Sequence, residues 1–409
     1  MPKIRSIILG KLIFAAAKLR GGGSAFPGLV IEKTDKNFIR DCLSQLPKGV
    51  VVISGTNGKT TTTKIVVELI KSQGLTVFTN KSGSNLLRGI IAELIREVTF
   101  GGKLRSDIAV LELDEAHATY FINIMQPKFS LLLNVYEDQT DRFGDADRTA
   151  SLLARIADKT TDCVVTSRDD PRLCCLEADA DIAYFGSSPE LAKMFHPTNS
   201  LESDNRPPAH VLLKSVSDTQ SEFTVDGNDY SISLSLNGIY NSLNAAAALT
   251  LAKTLLPYAD VNELLAALQK VRPADGRGEI FNINGTDIQL LLVKNAAGFN
   301  LTLASFCFAG FDNMIATNNA LADGLDISWL SDVDFSPLKE SGVAIVSGTC
   351  AADTAKCLKS QGVAAAKIDT NLTSAVNILI NSGNNPKRIF CSYTAMVVIR
   401  KQLMKLKEI

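Results

Sequence analysis

The sequence is poor in the residues from which zinc sites and disulfide frameworks are built. Its 409 residues include only three histidines, and its eight cysteines form no C-x-x-C pair. Such sites need closely spaced cysteine or histidine pairs, so we expect neither a structural zinc ion nor disulfides. Scattered thiols are typical of a reducing compartment, and we predict a cytoplasmic protein.

An excess of charge of one sign is also lacking. The chain has 42 basic and 43 acidic residues, which leaves no overall field to attract nucleic acid. No apolar run reaches the roughly 20 residues of a membrane-spanning helix. The 46% of hydrophobic residues is enough for two or three domains with packed cores.

The charge is uneven only at the start of the chain. The segment from Met1 to Arg20 has five basic residues and no acidic one. A basic start followed by apolar residues is typical of a signal peptide, but Lys11 interrupts the apolar run, so we predict an amphipathic helix instead. Two roles stay open for it: packing on the body of the protein, or contact with an anionic membrane surface.

The stretch from Val50 to Lys64, VVVISGTNGKTTTTK, predicts a phosphate-binding loop between a buried strand and a helix. Glycines let the backbone N–H groups approach a polyphosphate, a lysine adds positive charge, and the next threonine is the usual ligand of the accompanying Mg²⁺. The loop is shorter than the common G-x-x-x-x-G-K-[ST] pattern, because Ile53 stands where the first glycine would be. The predicted ATP contacts are Gly55, Thr56, Asn57, Gly58, Lys59, Thr60 and Thr61.

Beyond this loop, short β-rich runs alternate with helix-length segments, which predicts a mostly parallel, doubly wound sheet. Phosphate chemistry then belongs at the carboxyl ends of the strands. The first such end is IAVLELDEAH, where alternation puts Glu112 and Asp114 on one face. Because Mg²⁺ prefers oxygen ligands, we predict that Thr60 and Glu112 hold it. Short alternating strands between about Ala209 and Leu236 indicate an antiparallel flap.

GTNGKTTT resembles the ATP loop of the Mur ligase family, whose members activate carboxylates as acyl phosphates. The resemblance implies that Glu112 is the magnesium-holding glutamate. NGIYNSLNAAAA is similar to the family's adenine-contacting block, through Asn241 and Asn244, although asparagine at a helix start is otherwise an ordinary cap. The segment from Pro273 to Glu279 resembles the family's P-x-x-G-R-x-E hinge.

The hinge resemblance implies the domain organisation. We predict an ATP-binding domain over residues 1–276 and a smaller C-terminal α/β domain over residues 277–409. Arg277, on the linker, is expected to reach the γ-phosphate and stabilise charge on the transferring phosphoryl group.

Three later features resemble the MurT branch of the family. DQTDRFGD, from Asp138 to Asp145, lacks the histidine of the amino-acid-adding branch, and no lysine lies between Asp141 and Ala157. KNAAGFN is similar to the branch's K-N-P-A-G-x-N segment, which implies that Lys294, Asn295 and Asn300 line the cleft between the domains. NNALADGLDISW is similar to its motif N-x-N-x-A-D-G-x-D-x-S-W.

The MurT resemblance implies a substrate and a partner. Proteins of this branch amidate the D-glutamate of lipid II, forming a heterodimer with a GatD-like glutaminase that supplies ammonia. Asp326 matches the aspartate that orients the glutaminase histidine, so the predicted catalytic residues are Asp326, Lys59 and Glu112. Without the family, DGLDISW is only a turn with capping aspartates. Many members carry a four-cysteine zinc ribbon, but residues from about Gly186 to Asp229 contain no cysteine.

Two alternatives stay open. Only 54 residues precede Gly55, too few for a domain that binds a UDP-linked precursor. The missing domain agrees with an enzyme that uses a lipid-linked acceptor, but it agrees equally with a folylpolyglutamate synthetase. The chain could also be an ATP-binding scaffold that activates a glutaminase without catalysing ligation. We do not expect Cys350 to be a glutaminase nucleophile, because no histidine follows it in the sequence.

Overall fold

The computed structural model describes residues 1–19, 26–80, 86–137, 145–196, 206–217, 220–307 and 309–407. The motif residues Asp138, Gln139 and Asp141 to Gly144 lie outside these ranges, as does Arg20. Within the described ranges, no helix combines the length and the apolar character needed to cross a bilayer.

The chain forms two compact units, each with its own sheet. The first comprises Met1–Val135, Ala146–Leu234 and Ser242–Val271. The second comprises Arg272–Ile409 together with Tyr136–Asp145 and Ser235–Asn241. The first unit ends close to the predicted domain limit at residues 276 and 277, which stays a prediction.

The first unit contains a nine-stranded sheet in the order β2-β3-β1-β4-β5-β6-β7-β8-β9. The seven neighbouring strands β2-β3-β1-β4-β5-β6-β7 pair in parallel. β8 and β9 are added antiparallel at one edge. All residues of β1, β3 and β5 are buried, as expected for parallel strands covered on both faces. The strands are β1 (Val50–Ser54), β2 (Val77–Thr79), β3 (Ile108–Glu112), β4 (Phe129–Leu132), β5 (Cys163–Ser167), β6 (Asp181–Ser187), β7 (Val211–Val216), β8 (Ser221–Val225) and β9 (Asn228–Ile232).

Helices flank this sheet and bury their apolar faces against it. Phe38, Leu94 and Phe121 belong to a core cluster that also contains β1 and β3 residues. The helices are α1 (Ile4–Leu19), α2 (Phe26–Thr34), α3 (Phe38–Leu43), α4 (Lys59–Ser72), α5 (Leu87–Glu97), α6 (Glu115–Ile124), α7 (Ala146–Ala157), α8 (Pro189–Phe195), α9 (Ile239–Leu255) and α10 (Val261–Gln269). The predicted mostly parallel α/β fold is confirmed.

The predicted antiparallel flap is an extension of the main sheet. β7 pairs with β6 through Phe185 and Val211, and β8 and β9 follow as a hairpin. Asp226 and Gly227 join β8 to β9 with φ of 50° and 79°. Positive φ at both central residues suits the right-handed twist of paired strands, which is why an Asp-Gly pair closes this hairpin.

Helix α1 differs from the amphipathic helix that the sequence predicts. Its buried face carries Ser6, Ile7 and Gly10. A Cβ at Gly10 would lie 3.0 Å from the Ile95 side chain, so the absence of a side chain at Gly10 lets this face pack closely. Ile8 and Leu12 lie on the opposite, exposed face. The helix therefore packs on the body of the protein, as one of the two predicted roles requires, but its outer face is apolar too.

The second unit contains a six-stranded sheet in the order β10-β11-β15-β12-β13-β14. A hairpin turn at Asn284 and Gly285, again with positive φ at both residues, joins β10 to β11, and the other strands pair in parallel. The strands are β10 (Arg277–Ile283), β11 (Thr286–Leu292), β12 (Asp312–Ala316), β13 (Val343–Ser347), β14 (Ala365–Asp369) and β15 (Lys387–Cys391). The helices are α11 (Ala296–Phe306), α12 (Ala351–Ser360), α13 (Leu372–Ile380) and α14 (Tyr393–Lys407), with short 3₁₀ turns at Ser328–Asp332 and Ser336–Leu338.

Candidate nucleotide-binding site

The predicted phosphate loop connects the end of β1 to the first residue of α4. Gly55 and Gly58 have φ of 130° and 86°, values that side chains with a Cβ rarely allow. A Cβ at Gly55 would also lie 3.0 Å from the backbone nitrogen of Asn134, and one at Gly58 would collide with Oδ1 of Asn244. The loop therefore has the shape of a cradle that only glycine permits, as a polyphosphate site requires.

Lys59 is held at the mouth of this loop. Its ammonium group donates to the carbonyl oxygens of Gly55 and Thr56, and it lies 3.2 Å from Oε1 of Glu115. Both side chains of the Lys59–Glu115 pair are about nine-tenths buried. The lysine charge is therefore fixed close to the backbone of the loop.

The sequence pattern did not assign Glu115 to the site. Alternation along β3 favoured Asp114 as the second carboxylate, but Asp114 is the N-cap of α6 and accepts from the backbone N–H of Ala116 over 3.2 Å. Alternation fails here because the strand ends at Glu112 and the helix begins at Glu115. The helical turn brings Glu115 to Lys59.

Thr60 and Glu112 form the second pair of the site. The Thr60 hydroxyl donates to Oε1 of Glu112 over 2.7 Å. Pairing of β1 with β3 puts Ile53 beside Glu112, so the sheet itself brings the glutamate to the loop. A hydroxyl and a carboxylate oxygen side by side are ligands that suit Mg²⁺, and the residues present therefore fit the predicted ion.

Two asparagines hold the backbone of this site, and sequence reasoning missed both roles. Asn80 donates to the carbonyl of Glu112 over 2.8 Å and accepts from its N–H over 3.0 Å. Asn134 likewise accepts from the N–H of Asn57 over 2.8 Å and donates to its carbonyl over 3.1 Å. Each amide satisfies one donor and one acceptor of a site residue, which fixes the position of that residue.

Two buried aspartates, Asp169 and Asp170, follow the end of β5, and Asp170 supports the site. Asp170 accepts from the backbone N–H of Val135 over 2.7 Å, directly after Asn134. Asp169 is fully buried and accepts from Arg206 over 2.7 Å and from the backbone N–H of Ser187 over 2.6 Å. Asp169 therefore forms a buried ion pair with Arg206 and is hydrogen-bonded to the last residue of β6.

The two predicted adenine-contacting asparagines fall in different units. Asn244 is buried beside Gly58 in the first unit. Asn241 belongs to the second unit and donates to the carbonyl of Asn237 over 2.7 Å. Contact of either residue with adenine stays a prediction.

Four further predicted residues lie in the second unit. Arg277 begins β10, and Lys294 follows β11. Asn295 caps α11 by accepting from the N–H of Gly298 over 2.9 Å. Asn300 donates to the carbonyl of Asp332 and accepts from the N–H of Asp334, so it also supports that chain segment. Their contacts with ATP or substrate stay predictions.

Asp326 is exposed on a loop of the second unit. It accepts from the backbone N–H of Ser328 over 2.8 Å and from its hydroxyl over 2.9 Å. These hydrogen bonds hold the pKa of the Asp326 carboxyl below its usual value, so the side chain is ionised at neutral pH. Asp323 anchors the loop by accepting from the backbone N–H and hydroxyl of Thr394 at the start of α14.

Cys350 lies at the N-cap of α12 and is buried. Burial raises the pKa of its thiol, which lowers the thiolate fraction that a nucleophile needs. That Cys350 is not a nucleophile stays a prediction.

Two family models match the chain. The Mur ligase middle domain matches residues 53–252, and the MurT ligase C-terminal domain matches residues 292–396. The first match contains the loop, Glu112 and both adenine-block asparagines. The second contains Lys294, Asn295, Asn300 and Asp326.

Curated relatives match nearly the whole chain. The MurT subunit of the glutamine-hydrolysing lipid II isoglutaminyl synthase of Streptococcus pneumoniae is 29% identical, with 94% of this chain and 93% of the relative covered. The corresponding subunit of Staphylococcus aureus is 27% identical over 87% of each chain.

A solved structure supports the fold alone. MurF ligase of Thermotoga maritima in complex with ADP is 18% identical, with a TM-score of 0.67, and the match covers 91% of this chain and 84% of that one.

Proposed function

The chain belongs to the MurT branch of the Mur ligase family, and on this premise we propose that it is the synthetase subunit of a lipid II isoglutaminyl synthase. Its reaction is ATP-dependent amidation of the α-carboxylate of D-glutamate in the lipid II stem peptide. The observation that carries the proposal is the Thr60–Glu112 pair beside an intact phosphate loop, because these groups would bind the Mg²⁺ and ATP that formation of an acyl phosphate needs.

The proposed reaction has two steps. A carboxylate oxygen attacks the γ-phosphorus of ATP, the bond to the β-phosphate oxygen breaks, and ADP leaves an acyl phosphate behind. Ammonia then attacks the acyl carbon, the bond to the phosphate oxygen breaks, and the nitrogen loses a proton. The products are D-isoglutamine, ADP and phosphate.

The residues of the first unit bind and orient ATP in this proposal. The glycine-shaped loop from Gly55 to Thr60 cradles the phosphates, while the N–H groups of Thr56 and Asn57 stay bonded to Asn134 and fix the shape of the loop. Lys59 adds a positive charge that Glu115 holds in position. Thr60 and Glu112 hold Mg²⁺, which when bound neutralises charge on the phosphates. Asn80 and Asn134 keep the glutamate and the loop at a fixed spacing, so little reordering is needed when the nucleotide binds.

The ammonia source is a GatD-like glutaminase in a heterodimer with this chain. The exposed, ionised Asp326 suits contact with a histidine of that partner, because a carboxylate fixed by Ser328 can orient an imidazole. Arg277 and the Lys294, Asn295 and Asn300 group are retained as predicted contacts to ATP and substrate. A lipid-linked acceptor puts the reaction at the cytoplasmic face of the membrane.

A folylpolyglutamate synthetase remains the alternative ligase. It shares the fold class, so the fold does not distinguish the two. The match of the MurT C-terminal model to residues 292–396 favours lipid II amidation.

Glu112→Ala separates a ligase from an ATP-binding scaffold. We expect ATP-dependent amidation, with either ammonium or glutamine as nitrogen source, to fall on the order of a hundredfold or more, because the carboxylate that completes the Mg²⁺ site is lost. The backbone of residue 112 keeps both bonds to Asn80, so the fold should survive.

The matched control is Asp114→Asn, which removes a carboxylate two residues away but keeps a side chain able to cap α6. It should amidate like the wild type. A Glu112→Ala protein that still supports amidation with the partner would mean that the chain is a scaffold.

A further inference from the structure

The outer face of α1 is mostly apolar. Ile4, Ile8 and Leu12 are spaced four residues apart, so they lie in one row along the helix. They are 59%, 44% and 64% exposed, respectively. The rest of this surface, which we call the α1 outer face, is formed by Leu9, Ala15 and Ala16, which are also exposed.

Such a surface is unusual for a helix that packs on a folded domain. The outer side of an amphipathic helix is normally polar, because water solvates it. Here the opposite side is already used: Ile7 and Gly10 are buried, and Ser6 donates to Asp35 over 2.7 Å. Rotating the helix to bury its outer face would expose the apolar face that is now buried. The α1 outer face can therefore leave water only by contact with something outside the folded chain.

The charged residues of α1 on and beside the α1 outer face are all basic, although Glu97 of α5 interacts with Lys11. Arg5 is exposed within it. At its edge Lys11 donates to the carbonyl of Ile95 over 2.8 Å and lies 5.3 Å from the ring centroid of Phe100, which is largely exposed. Lys3 is half-exposed and lies 3.7 Å from Asp35. No acidic residue occurs before Glu32, so anions meet no repulsion from this segment.

We propose that the α1 outer face binds the surface of an anionic lipid bilayer, with Ile4, Ile8 and Leu12 at the level of the acyl-chain boundary and Arg5 among the headgroups. An aliphatic face with basic residues and an aromatic ring at its rim is the combination that interfacial helices use. This inference rests on the proposed function in one respect, because a lipid-linked acceptor gives such an attachment its purpose.

A protein partner suits the same face less well. In a symmetric dimer through α1, the same patch of each copy faces the other, so both Arg5 side chains would be desolvated with no acidic residue of α1 to pair with them. A bilayer instead pairs Arg5 with lipid phosphates.

Attachment has a kinetic consequence for the proposed reaction. A lipid-linked acceptor is confined to the membrane plane, so a bound enzyme meets it at a far higher effective concentration than a free one. The α1 outer face would then affect the apparent KM for acceptor in vesicles and leave the KM for ATP unchanged.

The test is flotation of the full chain with vesicles of phosphatidylglycerol and phosphatidylcholine, without lipid II. The wild type should float with these vesicles, and Ile8→Gln/Leu12→Gln should bind at least roughly tenfold more weakly, because two side chains lose their apolar environment. The matched control is Tyr258→Ser, which removes a fully exposed aromatic side chain outside the α1 outer face. It should bind like the wild type.

Arg5→Gln tests the electrostatic part. Loss of one basic residue near an anionic surface should weaken binding to phosphatidylglycerol vesicles about fivefold at low salt. Binding to pure phosphatidylcholine vesicles should not change. Circular dichroism of each variant checks that the helix content is kept.

Three results would overturn the proposal: a wild type that does not float, an Ile8→Gln/Leu12→Gln variant that floats equally well, or loss of flotation when the glutaminase is added. The last would mean that the partner covers α1. Vesicle binding and amidation in detergent are separate readouts. Flotation without amidation would refute the proposed function alone, and amidation without flotation would refute this inference alone.

Discussion

The Thr60 hydroxyl donates to the Glu112 carboxylate over 2.7 Å although 52 residues separate them in the chain. Parallel pairing of β1 with β3 brings the two together, because Ile53 and Glu112 are in register and the loop to Thr60 begins directly after β1. The candidate site is therefore a property of the sheet. The register of the two strands positions its two oxygens.

Gly58→Ala should weaken ATP binding by roughly 10- to 100-fold. Its φ of 86° and the collision of a new Cβ with Asn244 would together cost about 1–3 kcal/mol of loop distortion. Isothermal titration calorimetry with ATP and Mg²⁺ measures the effect. Gly74→Ala is the matched control: its φ is 78° and no atom lies within 4 Å of the new Cβ, so it should lose only stability. Equal ATP affinity in the two variants would contradict the assigned loop role.

Asn134→Ala should raise the KM for ATP about tenfold. It removes two hydrogen bonds to Asn57, each contributing about 0.5–1.5 kcal/mol, and leaves the loop less ordered. The KM for ammonium should stay constant, which a general loss of structure would not allow. Asn123→Ala, which removes one bond within α6, is the control and should leave both constants unchanged. A proportional rise of both KM values in Asn134→Ala would refute a specific role.

Asp169→Asn should lower the free energy of unfolding by about 3–5 kcal/mol. It removes the charge opposite Arg206, whose side chain is only 6% exposed and would remain buried without compensation. Asp147→Asn breaks an exposed pair with Arg172 and should cost at most about 1 kcal/mol. Urea denaturation gives both values. Similar values for the two variants, or stoichiometric zinc in the purified protein, would show that a different element stabilises this region.

Cysteine alkylation at pH 8 should label Cys175 quickly and Cys350 slowly. Cys175 is exposed, whereas burial raises the pKa of the Cys350 thiol and raises that of Cys42 to about 12. Because these pKa values lie above the normal thiol value, the buried sites gain thiolate only at higher pH than a free cysteine does. Mass spectrometry after timed iodoacetamide treatment gives the rates. Fast labelling of Cys350, with loss of glutamine use in Cys350→Ala, would identify it as a nucleophile.

The strand and helix pattern of the ATP-binding unit was predictable because it depends on local signals. The apolar run before Ser54 and the glycines after it define β1, the loop and the start of α4, as observed. Glu112 was predictable because it stands where a strand turns polar. These features need only neighbouring residues to be recognised.

The supporting residues of the site were not predictable in the same way. Asn80 acts on Glu112 across 32 residues, and Asn134 acts on Asn57 across 77. No periodicity signals such contacts, since they follow from the strand order β2-β3-β1-β4. Glu115 was missed because strand alternation was extended into a helix, and the apolar outer face of α1 because a polar outer side was assumed.

The most direct test of the account is amidation of lipid II by the purified chain with ATP, using ammonium or glutamine, with and without a GatD-like glutaminase. We expect D-isoglutamine-containing product with ammonium alone, and with glutamine only when the glutaminase is present. No lipid II product under any condition, together with ATP-dependent addition of glutamate to a folate, would contradict the account and identify the alternative ligase as correct.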